Sequence, residues 1–424
     1  MTPAVRHYSP KLEDKTIVYQ PTNTPGNKPI AVGHNYSLLA CLPEKTSPFP
    51  WVIPLDLSRV KSREKGHELG IDQYLSWIKV NQGTLQNKTS VLVADSSYSV
   101  QPNQLKIDET PEVILIARMK SNLNVYRIYS GSSAHQKYGD KMKLNDSHSH
   151  LPVDKEIALD LKNGKRHYRV EIKQWKNLVR RGSRTFKGYL HPFDLYQCVV
   201  RDPHTRERVF KRPMWLAVYG QKRAELSLEE VYQSYHQRYD VEHFFRFSKQ
   251  HLLLNSFQTP DVEHEQHWWQ IVQLAYLQLY LARTEIKALP YEWERYLSEY
   301  KTEQQEASPS QVKRAFSFIL NKIGTPAHEV LPSKAGQGRQ RGETQEKRQD
   351  SPIIFKGSKK KKNQNKTKIE TQNNPTSTFR EIPSQTETPK FNQLLKTVRQ
   401  MIQQSELDLV QFAQKLMVSD VLLE

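Results

Sequence analysis

Ser90-Val-Leu-Val-Ala-Asp95 is an apolar run of strand length that stops on a carboxylate. A strand with no polar face cannot turn one side to water, so this run reads as a buried central strand and commits the chain to a sheet covered on both sides. Glu112–Met119 is a second run of the same kind. Ala31–Leu42 and Trp51–Leu57 predict two further strands joined by the Pro-containing connection Pro43–Pro50. Between them and Asp95, Ile71–Val80 predicts a helix with Ile71, Tyr74, Leu75 and Ile78 on one face. The first third is therefore α/β. An acid at the C-terminal end of a buried strand stands where open α/β sheets place their chemistry.

The middle, about 121–220, reads as β-rich. Tyr168, Val170 and Ile172 alternate with Arg169, Glu171 and Lys173, and Leu195–Val200 and Met214–Tyr219 predict further strands. Lys165–Lys187 holds nine Lys and Arg against the single acid Glu171, with Tyr168, Trp175 and Phe186 interleaved. Basic residues beside aromatics suit a phosphate-contacting surface; a solvated sheet face is the plainer alternative. After Gly220 the period becomes helical. Ser227–His251 follows a cap at Ser227 with Glu229 and Glu230 in its first turn, and Gln266–Lys287 is apolar nearly all round. Its Trp268-Trp269 pair is read as packing.

Charge points to a polyanionic partner. Among 424 residues, 63 Lys plus Arg face 45 Asp plus Glu, a net of +18. Half of that excess falls in Lys334–Lys368, where 12 basic residues stand against 3 acidic ones. This stretch lies within a polar, disordered linker expected over 324–390, and Phe391 onward resumes a helical apolar period to the end of the sequence. Two cysteines, Cys41 and Cys198, exclude a disulfide framework and a Cys-rich zinc site. No run nears the roughly 18 apolar residues of a membrane span, so no membrane role is expected. Gly26 and Gly33 lack the Gly-Lys-Ser/Thr of a phosphate loop, and His148 and His150 lack partners at zinc-like spacing.

The residues that carry chemistry sit in the first of the two long helices, as Tyr235-x2-Arg238-x3-Glu242-x6-Lys249. On a straight helix they fall at about 0°, 300°, 340° and 320°, one narrow arc beside an apolar stripe of Val241, Phe245 and Leu252. An i,i+4 ion pair between Arg238 and Glu242 would explain one pair of these positions but not all four. A carboxylate flanked by cations and a Tyr suits the meeting of a metal-bound oxygen with a phosphate chain.

With that spacing the sequence resembles bacterial insertion-sequence transposases of the DDE type that carry a Tyr-Arg-Glu-Lys signature. The likeness includes Gly26-Asn-Lys-Pro-Ile30, Gly33-His-Asn-Tyr-Ser37 and Val93-Ala-Asp95-Ser96, and extends more weakly to Ser351-Pro-Ile-Ile-Phe-Lys356. It implies an RNase H-like mixed sheet flanked by helices. The first part of this core would span 1–120, a β-rich basic insertion 121–220, the helical second part 221–323, the disordered basic linker 324–390 and an amphipathic C-terminal helical segment 391–424. It implies Asp95 and Glu242 as catalytic metal ligands for two Mg²⁺ (or Mn²⁺) ions, and Tyr235, Arg238 and Lys249 as DNA contacts. The implied activity is metal-dependent cleavage and strand transfer on double-stranded DNA by a homodimer in a synaptic complex, in the cytoplasm at the nucleoid. The family's first Asp precedes a Thr-Pro, and here Met1-Thr2-Pro3 stands at that point. The expectation is an N-terminally truncated form, neither Asp14 nor Asp56 matching the absent acid. A non-catalytic DNA-binding remnant is the alternative reading.

Overall fold

The computed structural model describes residues 2–6, 10–19, 30–43, 49–83, 85, 88–133, 135–163, 166–183, 186–284, 306–323 and 349–355. The linker expected over 324–390 lies outside the described residues except for 349–355, and the helical segment expected over 391–424 lies wholly outside them.

The first four strands are β1 (Thr2–Val5), β2 (Thr16–Tyr19), β3 (Ile30–Cys41) and β4 (Ile53–Val60), and they form a four-stranded antiparallel sheet centred on β3. β1 lies along Gly33–Tyr36 of β3, while β4 pairs with Asn35–Cys41 on the opposite edge. Gly33 is required there, since a Cβ would sit 2.0 Å from the Ala4 carbonyl oxygen. Helix α1 (Gly66–Val80) follows, then β5 (Ser90–Ala94), α2 (Gln101–Asp108) and β6 (Val113–Met119).

Strand β6 is the two-faced buried strand that its sequence calls for. Val113, Leu115, Ala117 and Met119 pack with Ile71, Tyr74 and Ile78 of α1 and Ile107 of α2, whereas Ile114 and Ile116 face the other side. β5 pairs with β6 in parallel, and β7 (Asn124–Ile128), β8 (Tyr138–Lys143), β9 (Lys155–Asn163), β10 (Arg166–Val179), β11 (Phe193–Arg201) and β12 (Met214–Tyr219) extend the same sheet. Its order is β5-β6-β12-β11-β10-β7-β8, with β9 also on β10, so β12 of the basic β-rich stretch pairs directly with β6. Gly220, just after β12, has φ +112°, and a Cβ there would meet the Val113 carbonyl oxygen at 2.3 Å. A bulge between Trp175 and Leu178 bends β10, and buried Asp194 pins it by accepting from the Asn177 N–H at 3.0 Å.

Three features depart from the sequence reading. β5 was expected at the centre of a sheet, but among the described residues it pairs with β6 alone, and its Val91, Leu92 and Val93 are only half-buried. The aromatics of the basic strip, Trp175 and Phe186, lie in the core rather than on its surface. Arg169 and Lys173 reach Asp160 and Glu156 of β9 at 3.4 and 3.5 Å, and Lys176, Arg181 and Lys187 are among the exposed cations of the strip.

After β12, α3 (Leu228–Gln237) begins in a capping box in which Ser227 and Glu230 exchange hydrogen bonds, and it lays Leu228, Val231 and Tyr232 on the second face of the large sheet. α4 (Tyr239–His251) and α5 (Val262–Leu281) follow, and α6 (Pro309–Ile323) closes the described helices. The arrangement is a mixed sheet with helices on both faces. No helix among the described residues is long and apolar enough to cross a membrane.

A buried charge joins α5 to the small sheet. Glu265, 0% exposed, accepts from Arg6 Nε at 2.7 Å and from the Tyr36 hydroxyl at 2.8 Å, and His34 Nδ1 stands 3.0 Å from it. Trp269, one turn on, stacks on Tyr36 with ring centroids 4.4 Å apart. Burial alone would raise the Glu265 pKa, but the His34 bond and the Arg6 charge hold it below the ordinary carboxylate value. A depressed folded pKa stabilises the fold fully above the unfolded value, and that contribution is lost as pH falls through the folded one. We therefore expect Glu265→Ala, which strands Arg6 in the interior, to cost about 3–5 kcal/mol in urea unfolding at neutral pH. Glu265→Gln should lose part of the decline in stability that the parent shows below about pH 4.5.

Candidate functional site

Strand β5 delivers Asp95 at its C-terminal end, where the chain turns at once. The carboxylate Oδ1 accepts from the Ser97 N–H at 2.7 Å and the Ser97 hydroxyl at 2.6 Å, an Asx turn that fixes its orientation. Tyr98 follows. Its hydroxyl pKa is pushed up to about 12, first by burial and then by the negative charge of Asp95. Asp95, Tyr98, Ser234, Gln237, Arg238 and Val241 line one cavity of about 440 Å³.

The helix carrying the four-residue constellation is interrupted at Arg238, between α3 and α4. There the Arg238 N–H bonds the Tyr235 carbonyl at 3.2 Å and the Val241 N–H bonds the Arg238 carbonyl at 3.1 Å, so the turn tightens to an i,i+3 pattern. The four side chains differ in exposure. Tyr235 is 2% exposed and packs with Ile114, Ile116 and Val218 beneath the site. Arg238 lies over its ring and that of Tyr239, 5.6 Å from each centroid. Glu242 stands exposed and accepts from Arg238 Nη2 at 3.0 Å. Arg238 Nε is buried and finds no hydrogen-bond partner among the described residues. Lys249 is half-buried, donates to Thr2 Oγ1 at 3.1 Å, and has its pKa lowered by burial.

Asp95 and Arg238 are thus brought to one cavity, with Glu242 tied to Arg238 one turn further on. Lys249 instead reaches β1. Asp56 accepts from Gln73 Nε2 at 2.8 Å, and Gln73 lines the same cavity. Asp14, with φ 54°, pairs with Arg59 at 2.5 Å and accepts from the Ser62 N–H, which places it in the frame of the small sheet. No group of three or more His, Cys, Asp or Glu side chains among the described residues is arranged to hold a metal ion.

Sequence reasoning missed Ser97, Tyr98 and Arg118. The Asp-x-Ser spacing that makes an Asx turn was a usable signal for Ser97. Arg118 is the one exposed residue of β6, and its charge acts on the Tyr235 hydroxyl. A lone cation in an otherwise apolar strand marks such a position.

Stability separates the roles. Glu242→Gln breaks only an exposed i,i+4 pair and should shift unfolding free energy by no more than about 0.5 kcal/mol. Tyr235→Ala empties a packed core position and should cost about 3–5 kcal/mol. Denaturant titrations of the two variants beside the parent check both values.

No curated protein matches the chain. Among solved structures it is similar to a piggyBac transposase in a synaptic complex with hairpin DNA, determined by cryo-EM, at 10% identity and a TM-score of 0.30. That likeness covers 74% of this chain and 55% of the other, and a score of this size does not establish a shared fold. The family model described as "Transposase DDE domain" matches residues 66–278, from the start of α1 into α5, with Asp95, Arg238, Glu242 and Lys249 all inside. That match takes in half of the chain, and the protein belongs to the transposase DDE domain family.

Proposed function

We propose that the chain is an insertion-sequence transposase of the Tyr-Arg-Glu-Lys group, built on an RNase H-like core. Asp95 and Glu242 serve as its catalytic carboxylates, and Arg238 and Lys249 contact the DNA backbone. Tyr235 acts from below by holding Arg238 in place. The observation that carries this reading is the meeting of Asp95 with Arg238 at one cavity, inside the stretch matched by the family model. The buried, unpartnered Nε of Arg238 is a donor held ready for an anion, and a phosphate oxygen would satisfy it.

DDE transposase domains generally use divalent metals. The described acids fall short of that use, because Asp95 is engaged by Ser97, Glu242 by Arg238, and two ions need a larger set of oxygen donors. Under the proposed reading Mg²⁺ or Mn²⁺ is the cofactor, and at least one oxygen donor beyond these two acids completes its site. The shortfall favours a second reading, in which the chain occupies DNA, or joins an intact transposase as a homodimer partner, without cutting. Both readings place the protein on double-stranded DNA in the cytoplasm, at the nucleoid.

Cleavage of labelled element-end DNA with Mg²⁺ or Mn²⁺ tests the two against each other. If the chain cuts, Asp95→Asn and Glu242→Gln should each lower the rate by orders of magnitude while binding changes little. Arg238→Ala and Lys249→Ala should weaken binding and flatten its dependence on salt. Cutting by Glu242→Gln at the parent rate would remove Glu242 from the chemistry. Binding without cutting would select the second reading.

A further inference from the structure

The end of the large sheet that carries Asp95 also carries a basic hairpin. Ala94 of β5 stands opposite Ala117 of β6, Met119 opposite Trp215 of β12, and Met214 opposite Cys198 of β11. Followed across these registers, Asp95, Lys120 and the 202–212 turn between β11 and β12 all leave the sheet at the same end. Three strand spacings, about 14 Å, separate β5 from β11. Arg118 and Lys120 are exposed on the way, so cations mark the rim from the cavity to the turn.

The turn is ordered by its own backbone. The Asp202 carboxylate accepts from the His204 and Thr205 N–H groups, each at 2.9 Å. The Arg206 N–H bonds the Asp202 carbonyl and the Val209 N–H bonds the Val200 carbonyl, both at 2.9 Å. Arg206 sits at φ 58°, which costs a residue with a side chain free energy. Arg201 is engaged by Glu171 at 2.9 Å. What the turn then presents is Arg206, Arg208, Lys211 and Arg212, all exposed, around Val209 at 45% and Phe210 at 61% exposure. A Phe held out between cations on a rigid turn suits a surface that meets phosphate and sugar together. We propose that this hairpin is a lateral contact for duplex DNA. Arg208, Lys211 and Arg212 meet phosphates about four base pairs or more from the nucleotide at Asp95, and Phe210 lies against the sugar edge between them. The inference rests on the DNA-binding part of the proposed function and is independent of whether the chain cuts.

Two measurements test it with a duplex of about 30 base pairs, long enough to run from the cavity past the hairpin. In the first, hydroxyl-radical oxidation of Phe210 is followed by mass spectrometry with and without the duplex, and Tyr19, 65% exposed on β2, is the reference. We expect the duplex to slow oxidation of Phe210 at least threefold more than that of Tyr19. In the second, the salt dependence of binding is compared between the parent and the triple variant Arg208→Gln, Lys211→Gln, Arg212→Gln. A control triple, Lys61→Gln, Lys79→Gln, Lys88→Gln, removes the same charge from exposed positions away from the hairpin. Each neutralised phosphate contributes about 0.9 to the slope of log K against log salt. The hairpin triple should therefore lower the slope by about 2–3 and weaken binding at least tenfold, while the control moves the slope by less than about 1. Equal protection of Phe210 and Tyr19, or an unchanged slope in the hairpin triple, would overturn the proposal. So would an equal fall in the control, because net charge and not position would then set the affinity. The oxidation measurement needs no variant and decides the matter if the hairpin triple fails to fold. A parent that binds no duplex removes the DNA reading and the hairpin contact together, whereas a parent that binds no better than the hairpin triple removes the hairpin contact alone.

Discussion

Glu265 is a charge with no access to water, and the placement of three elements follows from how it is satisfied. Arg6 at the end of β1, His34 and Tyr36 on β3, and Glu265 on α5 meet at one carboxylate. Burying that group unpaired would cost far more than one packing contact returns, so α5 can dock only where all three partners arrive together. The stacking of Trp269 on Tyr36 fixes the rotation of the helix about that point. α5 is thereby referenced to strands near the start of the chain, more than two hundred residues away in sequence.

That reference matters for the candidate site because its parts come from separate places. Asp95 rides on the large sheet, Arg238 and Glu242 on the interrupted helix, and Lys249 leans on β1. These side chains lie at different depths. Upstream of the helix break Tyr235 is committed to the core, downstream Glu242 is exposed, and Arg238 bridges the two with its planar head over aromatic rings.

Much of this was legible in the sequence. The stretches read as strands at Ala31–Leu42, Glu112–Met119 and Met214–Tyr219 fall on β3, β6 and β12, and the last two are apolar runs of the kind that burial on both faces demands. The cap at Ser227 announced a helix start to the residue. Other features depend on distant partners and left no local trace. Nothing in Ser90–Ala94 says which strands will lie beside it, so a strand composed like a central one pairs, among the described residues, with β6 alone. The helix break carries no Pro or Gly, and Trp175 reads equally well as surface or core until β10 acquires its neighbours. Within the site, the residue types at Asp95 and Glu242 could be read, but their engagement by Ser97 and Arg238 could not.

The bond from Lys249 to Thr2 makes the last turn of α4 and the first residue of β1 two ends of one equilibrium. Linkage is reciprocal, so whatever draws the Lys249 ammonium away from Thr2 loosens the amino end of β1 by the same free energy with which a firmly laddered β1 resists the withdrawal. Lys249 is also a half-buried cation whose proton is held less tightly than usual, so its attraction to any anion must be set against the hydroxyl it leaves. The mobility of one strand end and the availability of one positive charge are in this molecule a single quantity.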